Sequence, residues 1–192
     1  SQSASRPVLM NRVRLDTFNN DHYRPGSIPK RTLWYITSVL VFDNAFPWPN
    51  SLKRILLKVF GAKLTKGVVI KPRVRIKYPW KLSIGAFSWG GEGVWIDNLD
   101  NVHIGDHCCL SQGALLLCGN HDYTSTSFDL ITRTIIMEDG SWAGAKSILG
   151  PGARLGEEAV LTAGSVGLGD LEAKKIHQGN PAQPLRDRIV KS

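Results

Sequence analysis

The stretch CGNHDYTSTSF (118–128) sets a histidine among polar, turn-forming residues directly after an apolar run. An imidazole titrates near neutrality, so it can take a proton from a weak acid and give it back. His121 is therefore either a surface residue of an ordinary loop or the residue that the loop exists to present. Other groups have less suitable spacing. His103 and His107 show the HxxxH interval that suits a metal on a helix, but along a bent strand the two rings do not converge on one ion, and no metal is expected. His22 and His177 have no evident partner and read as surface residues. Cys108, Cys109 and Cys118 form no CxxC pair and leave an odd count, which fits a reducing cytoplasm better than a disulfide framework or a zinc site. Nothing in the chain looks like an activated serine or cysteine nucleophile.

What positions His121 is a repeat. In SWAGAKSILGPGARLGEEAVLTAGSV (141–166), Ala143, Leu149, Leu155 and Leu161 recur every six residues. Four places after each comes a small residue, namely Ser147, Ala153, Ala159 and Ser165. One place after each comes Gly144, Gly150, Gly156 and Thr162. Neither a helix nor simple strand alternation produces this period. It predicts triangular coils in which an aliphatic side chain points inward from each short side and glycine tolerates the dihedrals of the corner. Upstream, Ile104, Leu110 and Leu116 keep the interval, with Cys108, Ala114 and Asn120 at the small position. Ile70 and Ile76 keep it too. The steps Ile76 to Ile84 and Ile96 to Ile104 are eight residues, so two residues are added at each of two corners. A lone coil buries little, so several must stack. The phase breaks once, by 27 residues between Leu116 and Ala143. An insertion at a corner can only protrude, and loops on rigid scaffolds are where function concentrates.

The hexapeptide register, the loop opening with GNHD, the returning SWAGA and the closing GNPAQPLRDR resemble the left-handed β-helix acyltransferases. GVVIKPRVRIKYPWKLSIG and GVWIDNLDNVHIGD narrow the resemblance to the colanic acid biosynthesis acetyltransferase branch, whose relatives include galactoside, maltose and xenobiotic acetyltransferases. The likeness covers roughly residues 50–188. It implies a left-handed parallel β-helix, a homotrimer with active sites between neighbouring prisms, and transfer of an acetyl group from acetyl-CoA to a sugar hydroxyl in exopolysaccharide biosynthesis. His121 falls on the family's general base, with Asn120 or Asp122 as candidates to orient the ring. Attack on the thioester is direct. Trp142 matches the aromatic beside the pantetheine arm, and Gly144, Ala145, Ala163 and Gly164 are small enough for that arm to lie close. Arg186 matches a basic position near the CoA phosphates. Leu168-Gly169 and Gln183 depart from basic positions of relatives, which leaves Lys174, Lys175 or Arg188 as substitutes. For the acceptor the resemblance points to Trp89, Glu92, Asp97 and Asn98, although Asp97 and Asn98 equally suit a turn. An amino sugar, a nucleotide sugar or a xenobiotic is the alternative acceptor, and a non-catalytic structural subunit the alternative role.

The rest of the chain bounds the reading. Its 192 residues suffice for one core with a small appendage, 42% apolar and 21% charged residues are ordinary for a globular protein, and the net charge of +8 favours a polyanionic partner. The basic run KPRVRIK (71–77) lacks interleaved aromatics, so nucleic acid is not expected. SQSASRPVLMNRVRL has no long apolar region, so no signal peptide is expected. TLWYITSVLVF is too short to span a bilayer, so the chain reads as soluble or peripheral. Residues 1–30 read as an irregular arm, and 32–46 and 51–60 as helices, the second with Ser51 as N-cap. In that second helix Leu52, Ile55, Leu56, Val59 and Phe60 share one face, while Lys53, Arg54 and Lys58 lie elsewhere. It either caps the open end of the prism or rests as a basic amphipathic helix on the inner membrane. The expected division is an arm and helical cap over 1–62, a β-helix over 63–170 with a protruding loop at about 121–136, and a tail over 171–192.

Overall fold

The computed structural model describes residues 12–191; the part of the expected arm at 1–11 lies outside them. Two compact units divide the chain. One joins the N-terminal arm up to Arg24 with Asn120–Ile131, and the other joins Pro25–Gly119 with the chain from Thr132 onward.

The second unit is a parallel β-solenoid of three faces. The first face stacks Lys63–Leu64, Leu82–Ile84, Val102–Ile104, Ile135–Met137, Arg154–Leu155 and Asp170–Leu171. The second stacks Val69–Ile70, Trp89–Gly90, Cys109–Leu110, Trp142–Ala143, Val160–Leu161 and Lys175–Gly179, to which Ala182–Asp187 adds antiparallel. The third stacks Arg75–Ile76, Trp95–Asp97, Leu115–Leu117, Ile148–Leu149 and Val166–Gly167. The column thus continues past residue 170, where the spacing alone predicts a tail, and it resumes after the insertion at Ile135, just short of the expected 136.

The six-residue register sets the core. Ile70, Ile76, Ile84, Ile96, Ile104, Leu110 and Leu116, then Ala143, Leu149, Leu155 and Leu161, are all buried in one cluster. The small positions are buried as well, with Ser147 donating from its hydroxyl to the Gly144 carbonyl. Asn120 is the exception: it is exposed in the first unit.

The glycines serve a different purpose from the one expected. Gly144 and Gly156 do not have left-handed backbones. A Cβ on Gly144 would meet the Ala163 nitrogen at 2.6 Å, and one on Gly156 the Ala173 nitrogen at 2.6 Å, because the next coil passes directly over them. The left-handed residues fall two places later, at Lys146, Gly152, Glu158 and Gly164.

The two inserted corners lie on each other. The first is a 3₁₀ turn at Pro79–Lys81. The second supplies Asn98, whose amide accepts from the Tyr78 N–H at 3.0 Å and donates to the Tyr78 carbonyl at 2.6 Å.

Two helices precede the column: α1 (Ile28–Thr37), which runs on as a π turn through Ser38–Phe42, and α2 (Asn50–Val59). α1 starts earlier than 32 because Pro29 suits a first helical turn. It ends before 46 because the Asn44 amide caps the Val39 and Leu40 carbonyls. Trp34 is buried against Phe42 and Phe60 and donates to the Ile76 carbonyl at 2.9 Å. In α2 Ser51 is not the cap. Pro49 holds that place, and Asn50 pairs its side chain with the Val68 carbonyl and the Ile70 N–H.

The expected apolar stripe of α2 is also rotated. Lys53, Leu57 and Phe60 are buried, whereas Ile55 and Val59 are exposed. Lys53 donates to the Ile70 carbonyl at 3.1 Å and Arg54 to the Val68 carbonyl. α2 therefore covers a bare strand edge with hydrogen bonds, which blocks pairing there.

Burial, then the nearby Lys71, pushes the Lys53 ammonium below the usual lysine range. The unfolded chain then binds a proton that the native chain has lost, so this group's contribution to stability rises with pH from its native value up to the unfolded one, near 10.5. Thermal melts across pH 7–10 should show wild type gaining on Lys53→Met as pH rises; a constant difference would contradict this.

Candidate active site

The first unit holds His121. Gly119–His121 and Leu130–Thr132 pair as a two-stranded ribbon that carries the insertion. The His121 ring lies flat on Phe128, with centroids 4.3 Å apart and planes 5° from parallel, and Phe18 of the arm tilts against it at 5.7 Å. Nδ1 is 2.8 Å from the Phe128 carbonyl oxygen. A carbonyl oxygen can only accept, so the hydrogen bond places the proton of a neutral ring on Nδ1 and leaves the Nε2 lone pair for another proton. Phe128 does this from a left-handed backbone, φ +53°, that a bulky residue rarely adopts.

Asn120 and Asp122 do not hold the ring. Asn120 Oδ1 accepts the His121 backbone N–H, and Asp122 accepts from the Thr124 hydroxyl and N–H, which lowers its carboxyl below the usual range. His22 is not without a partner either, since its Nε2 lies 3.3 Å from the Leu130 carbonyl.

In the second unit the second face carries Trp89, Cys109 and Trp142 in register on its outer side. Trp142 donates its indole N–H to Ser111 Oγ at 2.8 Å. Trp89 and Glu92 line one cavity of about 440 Å³ together with Lys71, Ser111 and Gln112. The structure thus brings together two of the four expected acceptor residues and adds Lys71, which the spacing did not mark.

Asp97 stands on the third face with Oδ1 buried and without a hydrogen-bond partner, 3.9 Å from Lys77 Nζ. Burial raises its carboxyl, with Lys77 opposing. Asn98 is fully buried, and its amide is spent on Tyr78, so it is a corner residue and not an acceptor contact.

Gly144, Ala145, Ala163 and Gly164 share one corner of two successive coils, joined by a hydrogen bond from the Gly164 N–H to the Ala145 carbonyl at 2.9 Å. Gly144 is buried under the next coil, while nothing lies within 4 Å of a Cβ on Gly164.

Among the cations, Arg188 donates to the Gly140 and Glu158 carbonyls and pairs with the Glu158 carboxylate, and Lys175 pairs with Glu172 and Asp187. Arg186 and Lys174 are exposed and have no ion pair among the described residues.

The other histidines have structural partners. His177 is buried, not on the surface, with Nε2 3.0 Å from the Glu172 carbonyl. His103 lies beside Ser83, and His107 stacks on Phe87. Among the described residues no three His, Cys, Asp or Glu groups converge to hold a metal. Burial pushes all three thiols up, Cys118 to about 12, which keeps them protonated near neutral pH.

No family model matches the chain. It is similar to WcaF of Escherichia coli (strain K12), provisionally named a colanic acid biosynthesis acetyltransferase, with 35% identity over 167 residues covering 87% of this chain and 92% of that one. Solved structures share the fold. One is a hexapeptide-repeat-containing acetyltransferase of Vibrio cholerae O1 biovar eltor complexed with acetyl coenzyme A, with TM-score 0.74 and 18% identity over 84% of this chain and 88% of that one. Another is a galactoside acetyltransferase in complex with coenzyme A, with TM-score 0.74 and 21% identity over 84% and 82% of the two chains. The identity to WcaF spans nearly the whole of both proteins and goes beyond a common scaffold: the chain belongs to the hexapeptide-repeat acetyltransferase family, on its colanic acid biosynthesis branch.

Proposed function

We propose that the chain transfers an acetyl group from acetyl-CoA to a hydroxyl of a sugar destined for an exopolysaccharide. The observation that carries the reading is the bond from His121 Nδ1–H to the Phe128 carbonyl, which leaves Nε2 as the acceptor for a hydroxyl proton. As Nε2 takes the proton, the hydroxyl oxygen attacks the thioester carbonyl carbon. The C–S bond then breaks, and the imidazolium returns its proton to the departing sulfur, so an ester and CoA with a free thiol result.

The ring is held by a carbonyl and an aromatic face, not by Asn120 or Asp122. The bound acetyl coenzyme A and coenzyme A of the two solved relatives support the donor. The corner at Gly144, Ala145, Ala163 and Gly164 would take the pantetheine arm, with Trp142 beside it. Arg186 and Lys174 would take the phosphates, since their charges are not spent on acids. Trp89, Glu92 and Asp97 would meet the sugar.

The reading includes a homotrimer with sites between neighbouring copies. Two faces support it with outward apolar columns: Trp89, Cys109 and Trp142 on the second, and Trp95, Leu115, Ile148 and Val166 on the third. The first face is mostly polar, with Lys63, Ser83, His103, Arg154 and Asp170. On this reading the enzyme works in the cytoplasm beside the inner membrane, on a lipid-linked glycan.

Free thiol appearing from acetyl-CoA, measured over a panel of neutral sugars, amino sugars and nucleotide sugars, tests the reading. Thiol release stimulated by a neutral sugar is the expected result. Stimulation by amino or nucleotide sugars alone would move the acceptor to that class, and no release with any of them would overturn the proposal.

A further inference from the structure

The outward side of α1 and its π turn is apolar, the reverse of an ordinary surface helix. Ile28, Leu33, Tyr35, Ile36, Val39 and Leu40 are between 45% and 70% exposed, while Trp34 and Phe42 pack inward. At 3.6 residues per turn the four of these in α1 fall within a sector of about 160°, and Val39 and Leu40 follow in the π turn. A contiguous exposed apolar surface marks an interaction site.

Charge is distributed just as unevenly. Residues 25–91 hold 12 of the 24 basic residues but one of the 16 acidic ones, Asp43, and acids outnumber bases in the rest of the chain. This segment forms both helices and the first strands of all three faces, so one end of the column is strongly cationic. No acidic residue lies between Asp21 and Asp43, and α1 itself carries Lys30 and Arg31.

We propose that α1 docks this end of the column onto an anionic lipid bilayer. The helix and its turn run from Ile28 to Phe42, roughly 22 Å at 1.5 Å per residue, which is too short to cross the hydrocarbon core. No described helix is long and apolar enough to span a membrane. Such a segment lies in the interface, its aliphatic side chains among the acyl boundary and its cations at the headgroup phosphates. End-to-end pairing of two copies is disfavoured, because it would oppose two cationic surfaces, and a side-by-side contact is what the sedimentation arm of the test reads. α2 is not the docking helix, because Lys53 and Arg54 turn inward to the strand edge. The proposal bears on where acetyl transfer occurs but does not rest on it.

Cosedimentation of the full chain with phosphatidylcholine vesicles, with and without roughly 30 mol % phosphatidylglycerol, is the test. Binding to the anionic vesicles that weakens with salt is expected. L33E/L40E should lower the bound partition at least roughly tenfold while leaving the melting temperature and acetyl transfer to a soluble sugar unchanged. K30E/R31E should lose the preference for phosphatidylglycerol. The proposal is overturned by absence of binding to anionic vesicles, or by equal binding of L33E/L40E. It is also overturned if L33E/L40E lowers the sedimenting mass without vesicles, which would make the face a contact between copies.

Discussion

His121→Ala lowers kcat/KM for sugar-stimulated thiol release by about 10²–10⁴-fold, the span expected when a positioned general base is removed. The melting temperature changes little, because the ring is half-exposed on a loop and adds nothing to the column's core. Two arms separate a base from a binding residue. His121→Asn keeps a polar group at the site and should be nearly as impaired in kcat, with KM for acetyl-CoA close to wild type. Phe128→Gly keeps the carbonyl that accepts from Nδ1 and relaxes the strained φ of +53°. It loses only the stacked face, so its defect should be smaller than that of His121→Ala. A His121→Ala enzyme that turned over like wild type would remove the base from the mechanism and leave the family membership untouched.

The second large effect is structural. Gly156→Ala destabilises the chain by about 3 kcal/mol, since the new methyl group would sit 2.6 Å from the Ala173 nitrogen and 2.9 Å from the Leu171 oxygen, both backbone atoms of the next coil. Leu171 belongs to a hydrogen-bonded sheet and its carbonyl accepts the Gly156 N–H at 2.9 Å, so relief requires the coils to separate. Gly169→Ala is the comparison. Its φ is +63°, with nothing within 4 Å of the new Cβ, so the cost is conformational alone, about 1–2 kcal/mol. Urea denaturation of the two variants measures both. Equal losses would mean that the close approach of coils at Gly156 is taken up without cost.

The sequence by itself determined the column. A six-residue period of buried aliphatics is a local property: each inward residue is set by the length of one side of the triangle. Ile70, Leu116 and Leu161 could therefore be placed in the core before any contact was known. The single break in the period likewise placed His121 on an insertion, because a stacked prism has room for extra residues only outside itself.

Tertiary structure decided what those residues touch. Phe128 holds His121 across seven positions by a carbonyl and a ring face, an arrangement fixed by the turn of the loop and not by residue type. Asn98 reads as polar and available, yet a bonded pair of inserted corners buries it. Lys53 reads as solvated until a strand edge with unpaired carbonyls draws it inward. The exposed side of α1 reads as ordinary apolar helix, and only its packing through Trp34 shows which residues remain outside. Periodicity records the spacing of a repeated backbone. Partners of polar groups depend on which coils, corners and helices meet, and a linear pattern does not carry that information.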